Sequence, residues 1–209
     1  MYRILKAGSE SCWQTSESNA VDIATVADKS DGRPRVDQLY QLILSVPVQS
    51  VTTNSVDTIS VTADDSNIAK KFYFGSGVDL KKTYVSVQLT TDARDQGWAD
   101  EPDQGLWSWF EIAIFKSKSA PAKGSVLHSD SIKKDSTGNT LTWLSHRVAL
   151  SSEYTEQTGP VFGKDHELWK NIETGDIVGV LACAQYASWE CDVRSGSLKF
   201  LELVANVNA

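Results

Sequence analysis

The sequence predicts an all-β protein, an antiparallel β-sandwich of jelly-roll type, and three features carry that expectation. Short runs of alternating, β-branched or aromatic residues recur along the chain, as they do in sandwiches built of about seven to nine strands. Turn signals made of Gly, Pro, Asn, Asp and Ser separate these runs at intervals of about ten residues. Only one segment, residues 165–172, has the look of a helix. No repeat of propeller or solenoid period and no low-complexity linker interrupts the chain. A single domain over residues 37–209 is therefore expected, preceded by a polar N-terminal arm at residues 1–36.

In order, residues 1–36 are polar and weakly periodic, and AVDIATVA (20–27) fits either one short strand or a helical turn. From Asp37 the character changes. QLYQLILSVPVQSV alternates as a strand does, with Pro47 marking an edge or a bulge. SVDTISVTA (55–63) is a second strand, with Val56, Ile59 and Val61 as its inward set. After the DDSN turn, KKFYFGSG ends in a glycine-rich turn, and TYVSVQLTT (83–91) alternates again. LWSWFEIAIF, which follows Gly105, reads as a buried strand. SKSAPAKGS is a solvated loop, and SVLHSDSIKKDSTGNT is hairpin-like with an STGN turn. LTWLSHRVAL (141–150) is a strand whose alternation sets Ser145 and His146 on opposite faces, out of hydrogen-bond contact. The helix follows. IVGVLACAQYASWECDVRSGSLKFLELVANV then supplies two or three final strands, joined through residues 186–190 and 194–196.

Composition excludes several partners. A net charge of −7 argues against nucleic acid, whose phosphates demand clustered Lys and Arg, and against an anionic membrane surface. No apolar run is long enough for a membrane span. The first residues lack the apolar core of a secretion signal, so a cytoplasmic location is expected. Three cysteines, Cys12, Cys183 and Cys191, make no disulfide framework. Reduced core thiols are expected, with a Cys183–Cys191 bridge as the alternative.

Residues 92–115, DARDQGWADEPDQGLWSWFEIAIF, organise the functional reading. They carry Trp98, Trp107 and Trp109, with Asp92, Asp95, Asp100, Glu101, Asp103 and Glu111 against the single Arg94. A sugar ring needs an aromatic face for its C–H groups and planar polar side chains for its hydroxyls. Asp92, Arg94, Asp95, Gln96, Trp98 and Trp107 offer both. The competing reading is structural. Trp107 and Trp109 share a strand face that belongs either to the core or to a site, and Arg94 pairs either with a ligand or with Asp92 or Asp95. Trp189, in a connection between apolar strands, either joins the same end of the sandwich or caps the core. The acidic loop is dense enough in oxygens to suggest calcium, but EF-hand spacing is absent and no metal or other cofactor is expected. A glycosidase reading would need Glu111 to face Asp95 or Glu101 across a cleft. His128, His146 and His166 stand at no metal-ligand spacing. No GxSxG, P-loop or GxGxxG occurs, so enzyme chemistry is not expected.

Two segments carry a family likeness. GWADEPDQGLWSWFE, preceded by ARDQ, and GDIVGVLACAQYASWECDVRSGSL resemble the paired signatures DQGW…SWTWFE and GDxIxVWAxAxFPGW of a β-sandwich domain found in fungal intracellular proteins. The matches are Arg94, Asp95, Gln96, Gly97, Trp98, Pro102, Gly105, Ser108, Trp109, Phe110 and Glu111. Gly175, Asp176, Ile177, Ala182, Ala184, Trp189 and Val193 complete them. Leu181 stands where the family often has Trp, and Ala187 and Ser188 where it has Pro-Gly. The resemblance implies a galactose-binding-domain-like jelly roll, similar to the sugar-binding domains attached to F-box proteins. It implies no fixed activity.

The expectation is thus a non-enzymatic lectin that binds a glycan or glycoprotein. The sugar would stack on Trp98 and Trp107, with hydroxyls fixed by Asp92, Arg94, Asp95 and Gln96 and the site closed by Trp189. A homodimer would add avidity. A protein-interaction or defence module of the same fold is the alternative, to be told apart by a flatter apolar patch.

Overall fold

The computed structural model describes residues 2–4, 13–15, 48–99 and 105–204. Two compact units divide the chain: Met1–Ser50 with Leu201–Ala209, and Val51–Phe200. In the first, β1 (Tyr2–Ile4) pairs antiparallel with β2 (Trp13–Thr15). The expected 36/37 boundary, the AVDIATVA segment and Cys12 lie outside the described residues.

The second unit holds the sandwich. Its strands are β3 (Val48–Ser55, entering from the first unit), β4 (Ile59–Thr62), β5 (Ile68–Gly77), β6 (Thr83–Arg94), β7 (Ser108–Lys116) and β8 (Thr142–Arg147). β9 (Thr155–Thr158), β10 (Phe162–Gly163), β11 (Asp176–Gln185) and β12 (Glu190–Leu203) follow, with helix α1 (Glu167–Asn171) between β10 and β11. One sheet contains β4, β12, β6 and β9, with β10 also on β6 and β3 also on β12; the other runs β5-β11-β7-β8. Consecutive strands cross between the sheets: β4 to β5, β5 to β6, β6 to β7, β8 to β9, β10 to β11 through α1, and β11 to β12. This is jelly-roll connectivity, and the fold class read from the sequence holds.

The core lies between the sheets. β6 and β12 contribute Val87, Leu89, Val193, Leu198 and Phe200, and β7 and β11 answer with Phe110, Ile112, Ile114, Val178 and Val180. A second apolar cluster covers the outer face of the β5-β11-β7-β8 sheet. There Phe72, Trp109, Phe115, Leu181 and Cys183 pack under Ile132 and Leu127 from the β7–β8 connection. Burial on both faces explains why β7 and β11 read as continuous apolar runs rather than alternating ones. The same connection also covers the free edge of β5. Phe72 N donates to Ser125 O at 3.1 Å, Gly124 N to Phe72 O at 2.8 Å, and Leu127 N to Lys70 O at 2.9 Å.

The structure departs from the sequence reading in four places, and in a fifth, the cysteines, it agrees. The strand at 68–77 continues through Gly75, where a Cβ would meet the Ile177 side chain at 2.7 Å, so the glycine serves close strand packing rather than a turn. Residues 194–196 lie inside β12, because its buried positions shift phase there without the strand breaking. β9 is a strand whose polar sequence gives no alternating signal, and β10, the two residues Phe162–Gly163, is too short to carry one. Val56 is 82% exposed rather than inward, since it follows the end of β3. Cys183 and Cys191 are both free and buried, the first in the outer cluster and the second in the inner core. Reduced core thiols are what the fold contains. Among the described residues no helix is long and apolar enough to cross a membrane.

Candidate binding groove

A further departure builds the groove. The β7–β8 register pairs Trp109 with Arg147 and Phe110 with His146, then shifts so that Glu111 faces Leu144. Ser145 is the extra residue of a β-bulge. It and His146 therefore do not alternate, and Ser145 Oγ sits 3.0 Å from His146 Nδ1. Leu144 and Arg147, three positions apart, are consequently brought to the same outer face as Trp109, which regular alternation forbids.

On that face lies a hollow of about 230 Å³ lined by Ile68, Trp107, Trp109, Leu144, Arg147 and Gln185. Trp107 stands edge-on to Tyr186, centroids 4.6 Å apart. The Arg147 guanidinium is 5.8 Å from the Trp107 ring and 6.0 Å from the Trp109 ring, within cation–π range, and it donates to Leu106 O. Trp109 is only 7% exposed. Its Nε1 donates to Glu111 Oε1 at 2.8 Å, while Glu111 Oε2 accepts from Lys70 Nζ at 2.6 Å and from Thr142 Oγ1 at 2.7 Å. Burial pushes the Glu111 carboxyl up, but the Lys70 charge and these donors outweigh it and hold it below its ordinary value. Such a carboxylate accepts hydrogen bonds at neutral pH and does not serve as the raised-pKa acid that glycoside cleavage needs.

The loop after β6 is held as a latch. Asp95, 2% exposed, accepts from Gly97 N at 2.8 Å and Ser151 N at 2.9 Å. Burial raises its pKa, with the backbone donors opposing. Gly97 has φ 80°, and a Cβ there would meet Ser152 at 2.7 Å, so only glycine fits this turn. Gln96 spends both ends of its amide: Nε2 donates to Trp98 O at 2.7 Å, and Oε1 accepts from Glu190 N at 3.1 Å. Trp98 is carried out beyond this latch, 57% exposed.

The sequence-derived site thus separates into three places. Trp107 lies in the groove. Asp95, Gln96 and Trp98 form the latch, which Gln96 joins to the β11–β12 turn. Trp189 is half-buried in that turn; its backbone N–H donates to Tyr186 O at 3.1 Å and its carbonyl accepts from Ala63 N at 3.0 Å, so it shares this end of the sandwich. Asp92 and Arg94 lie elsewhere, on the outer face of the opposite sheet. There Arg194 Nε donates to Asp92 Oδ2 at 2.6 Å and Arg94 bonds Asp192, with Tyr154 4.8 Å and 4.7 Å from the two guanidiniums. Arg94 is therefore committed to Asp192 rather than to Asp92 or Asp95. Asp92 also lines a second hollow of about 260 Å³ with Thr90, Glu156 and Ser197. Among the described residues no group of three His, Cys, Asp or Glu could hold a metal ion.

Tyr186, Gln185, Leu144 and Arg147 were not among the site residues the sequence suggested. The pair of tryptophans two apart was the available signal; the bulge that adds Arg147 left none.

No family model matches the chain, and no curated protein matches it. Among solved structures it is similar to a chain in the structure of the infectious bursal disease virus Gx strain, with a TM-score of 0.43 and 12% identity over 77% of this chain and 33% of that one. A chain of the infectious bursal disease virus VP2 subviral particle gives a TM-score of 0.17 and 10% identity over 75% of this chain and 41% of that one. The chain thus spans less than half the length of either.

Proposed function

We propose that the protein is a non-enzymatic carbohydrate-binding module, with a saccharide seated in the groove of Trp107 and Trp109, beside Tyr186. The observation that carries this reading is the open, aromatic-lined hollow with planar polar groups at its rim. Trp107 and Tyr186 meet edge to face and leave aromatic surface for a sugar's C–H groups, while Arg147 and Gln185 supply polar partners. Glu111 sits beside the groove with every oxygen engaged, which favours binding over hydrolysis. The likeness of the two signature segments to fungal intracellular β-sandwich domains, and through them to sugar-binding jelly rolls, agrees with this assignment. Glycans or glycoproteins are the partners, and a homodimer would raise the avidity of a weak single site.

A glycan array with purified protein, Trp107→Ala and Trp98→Ala tests it. Saturable binding to a defined glycan is expected, abolished by Trp107→Ala and only weakened by Trp98→Ala, with both variants folded by circular dichroism. A chelator arm separates out the calcium alternative. A blank array with folded protein overturns the carbohydrate reading in favour of a protein partner.

A further inference from the structure

We infer that the groove selects an acidic saccharide, one bearing a carboxylate or sulfate, and that Arg147 is the residue that recognises the anion. The inference rests on the carbohydrate reading above and sharpens it. Arg147 is exposed at the groove wall, and among the described residues no carboxylate forms an ion pair with it. Lys70, a cation beside Trp109 through Glu111, is consumed by that carboxylate. The charges of Arg94 and Arg194 on the far sheet are likewise consumed by Asp192 and Asp92. A guanidinium presents five N–H donors in a fixed fork. The hydrogen bond to Leu106 O uses one nitrogen of that fork.

Position makes this charge specific. The Ser145 bulge turns Arg147 onto the outer face directly across from Trp109, so its guanidinium stands beside both indole rings. A ring stacked on Trp107 would carry its substituents toward that fork. Glu111 does not cancel the attraction, because Lys70 neutralises it and its oxygens face Trp109, Lys70 and Thr142. The protein as a whole is acidic, at −7, so long-range steering would repel an anion and any preference must come from this contact. A carboxylate accepting a charge-assisted pair of hydrogen bonds there gains over a neutral hydroxymethyl, which leaves the same donors to water.

Titrations followed by ¹H–¹⁵N NMR test the assignment, using methyl β-glucuronide, its neutral counterpart methyl β-glucoside, and acetate. The Trp107 and Trp109 indole N–H and the Arg147 Nε–H signals report on the groove. The glucuronide is expected to bind about tenfold tighter than the glucoside. Arg147→Gln should level the two sugars, Arg147→Lys should restore part of the difference, and Trp107→Ala should weaken both. If the two sugars bind equally and Arg147→Gln changes neither, the anion preference is overturned while the carbohydrate reading stands. If acetate moves the Arg147 signal at the same concentration as the glucuronide and the indoles stay still, the site is an anion spot and not an acidic-saccharide site. If no sugar moves any of the three signals, the carbohydrate reading falls and takes this inference with it.

Discussion

His146 shows how a single residue ties acid sensitivity to this fold. Its ring lies between the sheets, 5.2 Å from the Phe110 ring, with Thr91 Oγ1 2.8 Å from Nε2 and Ser145 Oγ on Nδ1. Burial lowers its pKa to about 4, whereas in the unfolded chain it titrates near 6.5. The unfolded state therefore binds more protons between these values, and stability rises with pH across them. The stabilising difference is fully present above about pH 6.5 and is lost as the pH falls toward 4. Thermal melts of the wild type should drop over that window, and His146→Gln should flatten the drop while lowering stability at neutral pH. Asp95 shows what the sequence could convey at this scale. Its place in a punctuated loop beside Gly97 was readable, but its partner Ser151 lies across the fold, so its work as a latch was not. Arg94 is similar, since its carboxylate is Asp192 in β12 rather than an acid in its own loop.

At the scale of the element, β8 carries the most consequence. As a strand it was legible from LTWLSHRVAL; its bulge was not, because no glycine or proline marks Ser145. The bulge depends on close backbone approach from the β9–β10 connection. A Cβ on Gly159 would lie 2.2 Å from Ser145 Oγ and 2.9 Å from His146 Nδ1. Gly159→Ala is expected to cost about 1–3 kcal/mol, the usual range for overpacking a tight site. Adding Ser145→Ala removes the atom it strikes, so the double variant should recover part of that loss in denaturant unfolding. Additive losses would refute the contact. By contrast, β7 and β11 were plain in the sequence, since a sheet covered on both faces needs apolar residues at every position. β9 and β10 were hidden because they are short pieces at the sheet's rim, β9 being wholly polar and β10 only two residues long.

The whole molecule was the most legible level, because jelly-roll strands are short and their turns regular, and both leave marks in sequence. What the sequence did not reveal is the second, outer cluster, which depends on residues 124–132 folding back over one sheet. That arrangement fixes the chemistry of the cysteines. Cys183 lies under the outer cover and Cys191 in the inner core, and burial pushes both thiols well above their ordinary pKa. In a Cys12→Ser variant, neither should react with a thiol reagent such as Ellman's until the protein is unfolded, when two equivalents should appear. A reducing agent should leave the melting temperature unchanged.

The self-covered edge of β5 bears on how this protein fails. An exposed strand edge is a template on which copies polymerise. Here residues 124–127 already occupy the donors and acceptors along β5, and Leu127 anchors them in the outer cluster. Fibre growth from that side must first peel this segment away and open the cover over Phe72 and Phe115. Amyloid-like assembly there therefore waits on a partial unfolding step, and a substitution that loosens Leu127 would shorten the lag before fibrils form.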